Sequence, residues 1–267
     1  MKSKQKFSFY EKKAKQYEAQ YESPFWKLYK EITWSDIKKH LPRKKGALIL
    51  DAGGGTGYWS RRLAKLGYRV VCNDISPKML EVGEFLAKKE RLQGRIQFEY
   101  GDVTSLKHIK TGTFDMVVCE GDPVSYCGNA GKAVKELGRV AKRGARIVIS
   151  VDSFYQALRR MIVANDTKGT VRLLKTRYSA FPGMTDHAPQ YNFEMKELKT
   201  LCKSAGLTWI GAIGKPVFAH LIARDEIEPL LNDRRTFSLI LSLEKRFNSD
   251  PSIAGMGGHL QVTARKK

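Results

Sequence analysis

Acidic residues are scarce in this chain. Its 267 residues hold 27 Asp and Glu against 48 Lys and Arg, a formal net charge of +21. Charged residues make up 28%, close to the roughly 25% of an average soluble protein, so the charge is one-sided rather than abundant. Ion-pair networks of the heat-adapted kind need both signs, so thermostability alone does not explain the excess. Such an excess points to a polyanionic partner, nucleic acid first and an anionic membrane second. Long apolar runs are also missing. None approaches the ~20 residues that span a bilayer, and no apolar stretch follows the basic start MKSKQKFSFYEKK, so neither a membrane protein nor a secretory leader is expected. Cysteine is sparse as well: Cys72, Cys119, Cys127 and Cys202 form no C-x-x-C pair, and three of them sit in apolar runs. Buried free thiols and a reducing compartment, the cytoplasm, are expected rather than a disulfide framework or a zinc site. None of the five histidines stands at metal-ligand spacing from a cysteine or carboxylate, so no metal is expected.

What is present is enough for a core. Hydrophobic residues make up 42% and aromatics 10%, which excludes global disorder, and the length allows one large domain or one domain with an appendage. Residues 1–45 read as helical, with Tyr10, Tyr17 and Tyr21 on one face and Ser23-Pro24 opening a second helix. From residue 47 short apolar strands alternate with helices: strands at 47–52, 68–74, 95–102, 114–122 and 145–153, with helices at about 58–66, 76–89 and 131–142. That rhythm means βαβ units and a parallel sheet. Residues 154–192 interrupt it as a cation-rich insertion. A helix at 195–206, a strand beginning at 207, a further helix through Leu230 and Leu241, and a last strand at 257–267 close the chain.

The strongest local signal is LDAGGGTG, Leu50 to Gly57, between a buried strand and a helix. Glycines there let the backbone turn sharply and approach a ligand closely. Gly53, Gly55 and Gly57 read G-x-G-x-G, and Tyr58 stands where the dinucleotide fingerprint G-x-G-x-x-G ends in glycine. There is no G-x-x-x-x-G-K-[ST]. Phosphate-loop nucleotide binding is therefore excluded and nicotinamide binding disfavoured. Asp74 ends the second strand about 20 residues beyond the glycines, where a carboxylate can accept both hydroxyls of a ribose. Asp102 ends the third. With Asp51 they form a row along the strand ends where open α/β sheets bind ligands.

Over about residues 45–153 the sequence resembles the class I S-adenosylmethionine-dependent methyltransferases, with 195–222 and 257–267 as the expected closing elements. The resemblance implies an α/β, Rossmann-like, doubly wound and mostly parallel seven-stranded sheet. Residues 1–45 would form an N-terminal helical lid, including Tyr17, on a methyltransferase domain at 46–267. It also implies S-adenosyl-L-methionine as cofactor. Asp51 and the backbone of Gly53, Gly55 and Gly57 would face its methionine moiety. Asp74 would hold the ribose, with Ile75 against the adenine; Asp102 and the Val103 amide would meet the ring; Glu120 and Gly121 would border the methionine end.

The fourth strand ends in CEGDPVSYC. Asp122-Pro123 followed by Tyr126 partly resembles the Asp/Asn-Pro-Pro-aromatic signature of methyltransferases acting on exocyclic amino groups. There an acid or amide accepts the amine hydrogens and the aromatic stacks on the base. Here Val124 replaces the second proline and the aromatic comes one residue late. An ordinary loop, with Asp122 capping the next helix, is the competing reading. His187, His259, Lys215-Pro216 and the loop 250–258 are further candidates for the acceptor side.

The cations cluster: residues 1–45 carry 13 Lys and Arg against 5 acids, and residues 131–178 carry 12 against 3. Both segments are expected to flank the cofactor edge as a channel for phosphates, with Phe25, Trp26, Tyr155, Tyr178 and Phe181 able to stack bases. The expected function is methylation of RNA (rRNA or tRNA) by a monomer. The favoured acceptor is an exocyclic base nitrogen such as cytidine N4. A small-molecule methyltransferase with a closed pocket is the alternative, since fold alone does not choose. A non-enzymatic RNA chaperone that binds the adenosyl ligand is the third reading.

Overall fold

The computed structural model describes Ala14, residues 17–180 and residues 189–267. Tyr10, Phe181 and His187 lie outside them. Helix α1 spans Pro24–Lys39, followed by β1 Leu48–Ala52, α2 Tyr58–Lys65, β2 Arg69–Asp74, α3 Pro77–Lys89, β3 Ile96–Tyr100 and β4 Phe114–Cys119. A short turn of helix, α4 Pro123–Tyr126, leads to α5 Ala130–Val140 and β5 Ala141–Asp152. The insertion forms α6 Phe154–Val163, α7 Thr167–Thr176 and a small antiparallel pair, β6 Tyr178–Ser179 with β7 Gln190–Tyr191. The chain closes with α8 Met195–Ser204, β8 Leu207–Lys215, α9 Phe218–Leu221, α10 Arg224–Asn232, α11 Arg234–Phe247 and β9 His259–Lys266.

Seven strands form one sheet in the order β3-β2-β1-β4-β5-β9-β8. β1 to β5 pair in parallel, and β9 runs antiparallel to both its neighbours. Strand residues alternate between two apolar layers. Leu50, Val117, Cys119, Ile147 and Val262 pack with Val134, Leu137 and Leu198 on one face, while Ile49, Cys72, Met116 and Val148 pack with Trp34, Leu63 and Leu80 on the other. Burial on both faces is why these strands read as continuous apolar runs. A third cluster, Phe25, Leu28 and Ile32 against Ile213, Ile227 and Leu231, fixes α1 beside β8, α10 and α11.

The sequence-based spans hold for most elements. Where one helix through Leu230 and Leu241 is expected there are two, α10 and α11, broken at Asp233, whose carboxylate accepts from Thr236 N at 2.8 Å and caps the second; the short α9 precedes them. The fourth strand stops at Cys119, and β8 stops at Lys215.

Candidate active site

The glycine turn follows β1. Gly53, Gly55 and Gly57 all have positive φ (69°, 56° and 73°), so each needs the freedom that a side chain removes. At Gly53 space is the second constraint: a Cβ there lies 2.4 Å from Pro123 Cγ and 3.8 Å from Val103 Cγ1. The ends of β1, β3 and β4 therefore meet at this residue. Asp74 holds the turn from β2, accepting from Gly55 N at 2.9 Å and from Ser76 N at 2.8 Å. Burial raises its carboxyl above the ordinary range. Ile75 beside it is partly exposed at the lip, and Asp102 accepts from Thr104 N at 2.7 Å and Thr104 Oγ1 at 2.8 Å. The N-terminal segment reaches this loop. Glu18 Oε1 accepts from Thr56 Oγ1 at 2.7 Å and from Arg61 Nη2 at 2.8 Å, so Tyr17 is anchored next to the turn and packs on Tyr21 at 5.1 Å.

Asp51 sits deeper than the row of strand-end acids implies. It is fully buried, and Oδ2 accepts from Ser60 N and Oγ at 3.0 and 2.6 Å at the start of α2. Burial pushes its carboxyl up to about 6, and Oδ1 has no hydrogen-bond partner.

At the end of β4, Glu120 is buried and ion-paired with Lys215 of β8, itself fully buried. Burial pushes Glu120 up to about 7. Lys215 Nζ also donates to Gln261 Oε1 at 2.6 Å, and Gln261 Nε2 donates to Asp36 Oδ2 of α1 at 2.9 Å. A polar chain thus crosses from the end of β4 to the N-terminal helix. Gly121, at φ 84°, has open space on its Cβ side, and the amides of Gly121 and Asp122 both donate to Ser150 Oγ at 3.1 Å.

Asp122 stands at the N-cap of α4, just before Pro123, with φ 65°, but its side chain makes no capping bond. The expected alternative role as a helix cap is therefore not what the carboxylate does. It faces β9 instead: Oδ2 lies 2.7 Å from His259 Nδ1, and Asp152 Oδ1 lies 4.0 Å from the same nitrogen. Burial raises Asp122, but the His259 charge beside it, with Lys215 and Ser150, brings it below the ordinary range. Burial lowers His259, and the two acids more than reverse that, so the imidazole is raised. Asp152 is pushed up to about 6 by burial and by Asp122. The Tyr126 hydroxyl donates to Gln190 Oε1 at 2.8 Å, which ties the residue to β7. Aromatic rings also line the His259 side. Tyr29 packs edge-on to His259 at 5.0 Å and Trp26 lies 6.3 Å from it; Trp26 in turn contacts Tyr21 at 4.8 Å.

Asp122, Asp152 and His259 offer one donor atom each within 4.8 Å of one another, the arrangement among the described residues closest to a metal site. Sequence spacing missed it because the three stand at the ends of β4 and β5 and the start of β9. Asp152, Lys215, Gln261 and Tyr29 were likewise invisible as a group; the apolar context of Lys215 at the end of a strand was the only hint.

This edge fits S-adenosylmethionine. The positive-φ turn and the bare Gly121 leave a cradle that side chains would fill, and Asp51, Glu120 and Asp122 each keep one buried oxygen without a hydrogen-bond partner. Unmatched acceptors suit a ligand that brings an ammonium group, ribose hydroxyls and an adenine amine.

The cations divide. Arg159, Lys168, Arg172 and Lys175 follow β5 on α6 and α7, on the cofactor side of the sheet. Lys142, Arg143 and Arg146 instead lie at the start of β5, and Lys38 to Lys45 lead into β1, at the opposite edge. The expectation that both basic segments flank the cofactor is therefore corrected in part: βα topology puts strand starts and strand ends on opposite edges.

Comparison with known proteins agrees with the fold. Residues 49–144 match the family model of a methyltransferase domain. Demethylmenaquinone methyltransferase of Leptospira interrogans is 38% identical over 115 residues, 40% of this chain; the chain spans about half of that relative's length, 46%. The tRNA 5-carboxymethoxyuridine methyltransferase of Escherichia coli is 24% identical over 246 residues, covering 88% of this chain and 87% of that protein. Among solved structures, an S-adenosylmethionine-dependent methyltransferase from Mesorhizobium loti superposes with a TM-score of 0.62 at 18% identity, over 88% of this chain and 97% of that one. Residues 49–144 are a methyltransferase domain, set in a chain with the class I fold whose cofactor is S-adenosylmethionine.

Proposed function

We propose that this protein transfers a methyl group from S-adenosylmethionine to RNA, in the cytoplasm. The observation that carries the RNA reading is the extent of the likeness to the tRNA methyltransferase of Escherichia coli. It covers 88% of this chain and 87% of that protein, whereas the likeness to the Leptospira demethylmenaquinone methyltransferase stops at 40% of this one. The net charge of +21 supports the same reading.

The cofactor supplies an electrophilic methyl on a sulfonium, so the protein's task is largely positioning. Trp26 and Tyr29 offer aromatic faces beside His259 for an unpaired base. An acceptor that bears a proton, such as an exocyclic base nitrogen, gives its lone pair to the methyl and must shed that proton. Asp122 faces His259 Nδ1, which leaves Nε2 to take it, and Asp152 adds a second negative charge that favours the imidazolium. Cytidine N4 remains the favoured acceptor from the sequence signature around Asp122.

The test is incubation with methyl-labelled cofactor and total RNA lacking modification. Label in RNA is expected, lost on Asp122→Ala with cofactor binding retained; Asp74→Ala should abolish cofactor binding itself. Label that enters a metabolite extract and not RNA would overturn the RNA reading in favour of a small-molecule acceptor, which the aromatic enclosure around His259 would also fit.

A further inference from the structure

A group of positive charges lies at the edge of the sheet opposite the glycine turn. Arg43, Lys44 and Lys45 lead into β1 and are exposed; Arg143 is exposed in β5. Arg146 of β5 stands directly opposite exposed Arg265 of β9 in an antiparallel pair. Like charges directly opposite on neighbouring strands repel. The carboxylates near this group are already engaged: Asp115 by Lys142 at 2.6 Å and by Leu48 N at 2.9 Å, with Lys44 also acting on it, and Asp36 by Lys39 at 3.1 Å and Gln261 Nε2 at 2.9 Å. His40 nearby is lowered by burial; Asp36 opposes that shift, while Arg146 and Lys39 add to it. The arrangement is unfavourable for the protein alone and is relieved by an anion laid across it.

We infer that this rear edge is a phosphate-binding surface for folded RNA, separate from the methyl-transfer edge. The inference rests on the RNA reading above. Its size follows from the topology: the named cations span four neighbouring strands, β1-β4-β5-β9, so at about 4.8 Å spacing the surface is roughly 14 Å across, and strands of five or six residues put it about 17–20 Å from the glycine turn. A single nucleotide cannot touch both edges. A folded RNA can pass a helical stem along the rear edge while it delivers an unpaired base to the other. Phosphate contacts of this kind set affinity and register without reading sequence. The substrate class is therefore a structured RNA rather than a free nucleotide or a short single strand.

The experiment uses the full-length protein with total tRNA as probe. Arg43→Glu/Lys45→Glu/Arg143→Glu should weaken RNA binding at least tenfold and flatten the dependence of log K on log salt concentration. Cofactor affinity by calorimetry, and turnover at saturating RNA, should stay at the wild-type level. Arg265→Glu gives a second, opposite-signed readout: removing its repulsion with Arg146 should raise the melting temperature of the free protein while RNA binding falls. Unchanged RNA affinity in the triple variant overturns the surface, as does equal charge dependence for anionic lipid vesicles with no RNA binding. If RNA binds through this edge but receives no methyl group, the surface stands and the RNA-methylation reading fails; methylated RNA with wild-type affinity in the triple variant gives the reverse.

Discussion

Lys215→Met isolates what holds the acceptor side together. Lys215 and Glu120 are both fully buried, and Lys215 also donates to Gln261 and lies 5.0 Å from the Tyr29 ring. Methionine keeps the length and apolar stem but leaves Glu120 without its counter-charge. Breaking a buried pair from one side costs about 3–5 kcal/mol. For a chain of this size that is roughly 6–20 °C of melting temperature, at ~2–4 °C per kcal/mol. The pH dependence makes the test specific. Even with Lys215 present, burial raises Glu120 from its ordinary 4.5 to about 7. A raised carboxyl takes up a proton on folding, so its contribution to stability falls as pH rises from the unfolded value through the folded one. In the wild type that loss ends near pH 7; without Lys215 the folded value climbs and the loss continues. The gap between variant and wild type should therefore widen above pH 7 by about 1.4 kcal/mol per pH unit. Adding Glu120→Gln should remove the widening and restore most of the stability. Thermal unfolding by circular dichroism at pH 6, 7.5 and 9 measures all three chains. A variant that melts within about 2 °C of wild type at pH 9, or a double variant no more stable than the single, would refute the reasoning.

Two further outcomes follow from the cofactor side. Gly53→Ala forces a side chain into φ 69° and against Pro123, a backbone cost of about 1–3 kcal/mol before Pro123 moves; cofactor affinity by calorimetry should drop more than tenfold, and unaltered affinity would mean the turn tolerates displacement. Asp51→Asn keeps an acceptor for Ser60 but removes a carboxyl that burial raises from 3.8 to about 6. The wild type should lose about 3 kcal/mol relative to this variant as pH rises from 4 through 6; urea midpoints that run parallel across pH 4–8 would contradict that.

Much of the fold was legible because its signals are local. Apolar runs buried on both faces, Ser76-Pro77 at the start of α3 and the glycine turn after β1 each depend on a few neighbouring residues. The α10–α11 break was not read, because the capping Asp233 sits inside one continuous amphipathic pattern. The tie from Tyr126 to β7 was illegible for a similar reason: its neighbours in sequence say nothing of Gln190, 64 positions away, which accepts from its hydroxyl.

The sequence by itself determined the class of sheet, the glycine turn after β1 and the acid at the end of β2. Each is written in a short segment whose backbone geometry needs those residues. Tertiary structure decided the rest of the site. Only the closing of β9 between β5 and β8 sets His259 beside Asp122 and Asp152, and Lys215 beside Glu120. The same topology sends part of the cation excess to the rear edge. A charge count sums over the chain, while an electrostatic surface depends on which end of each strand a residue occupies.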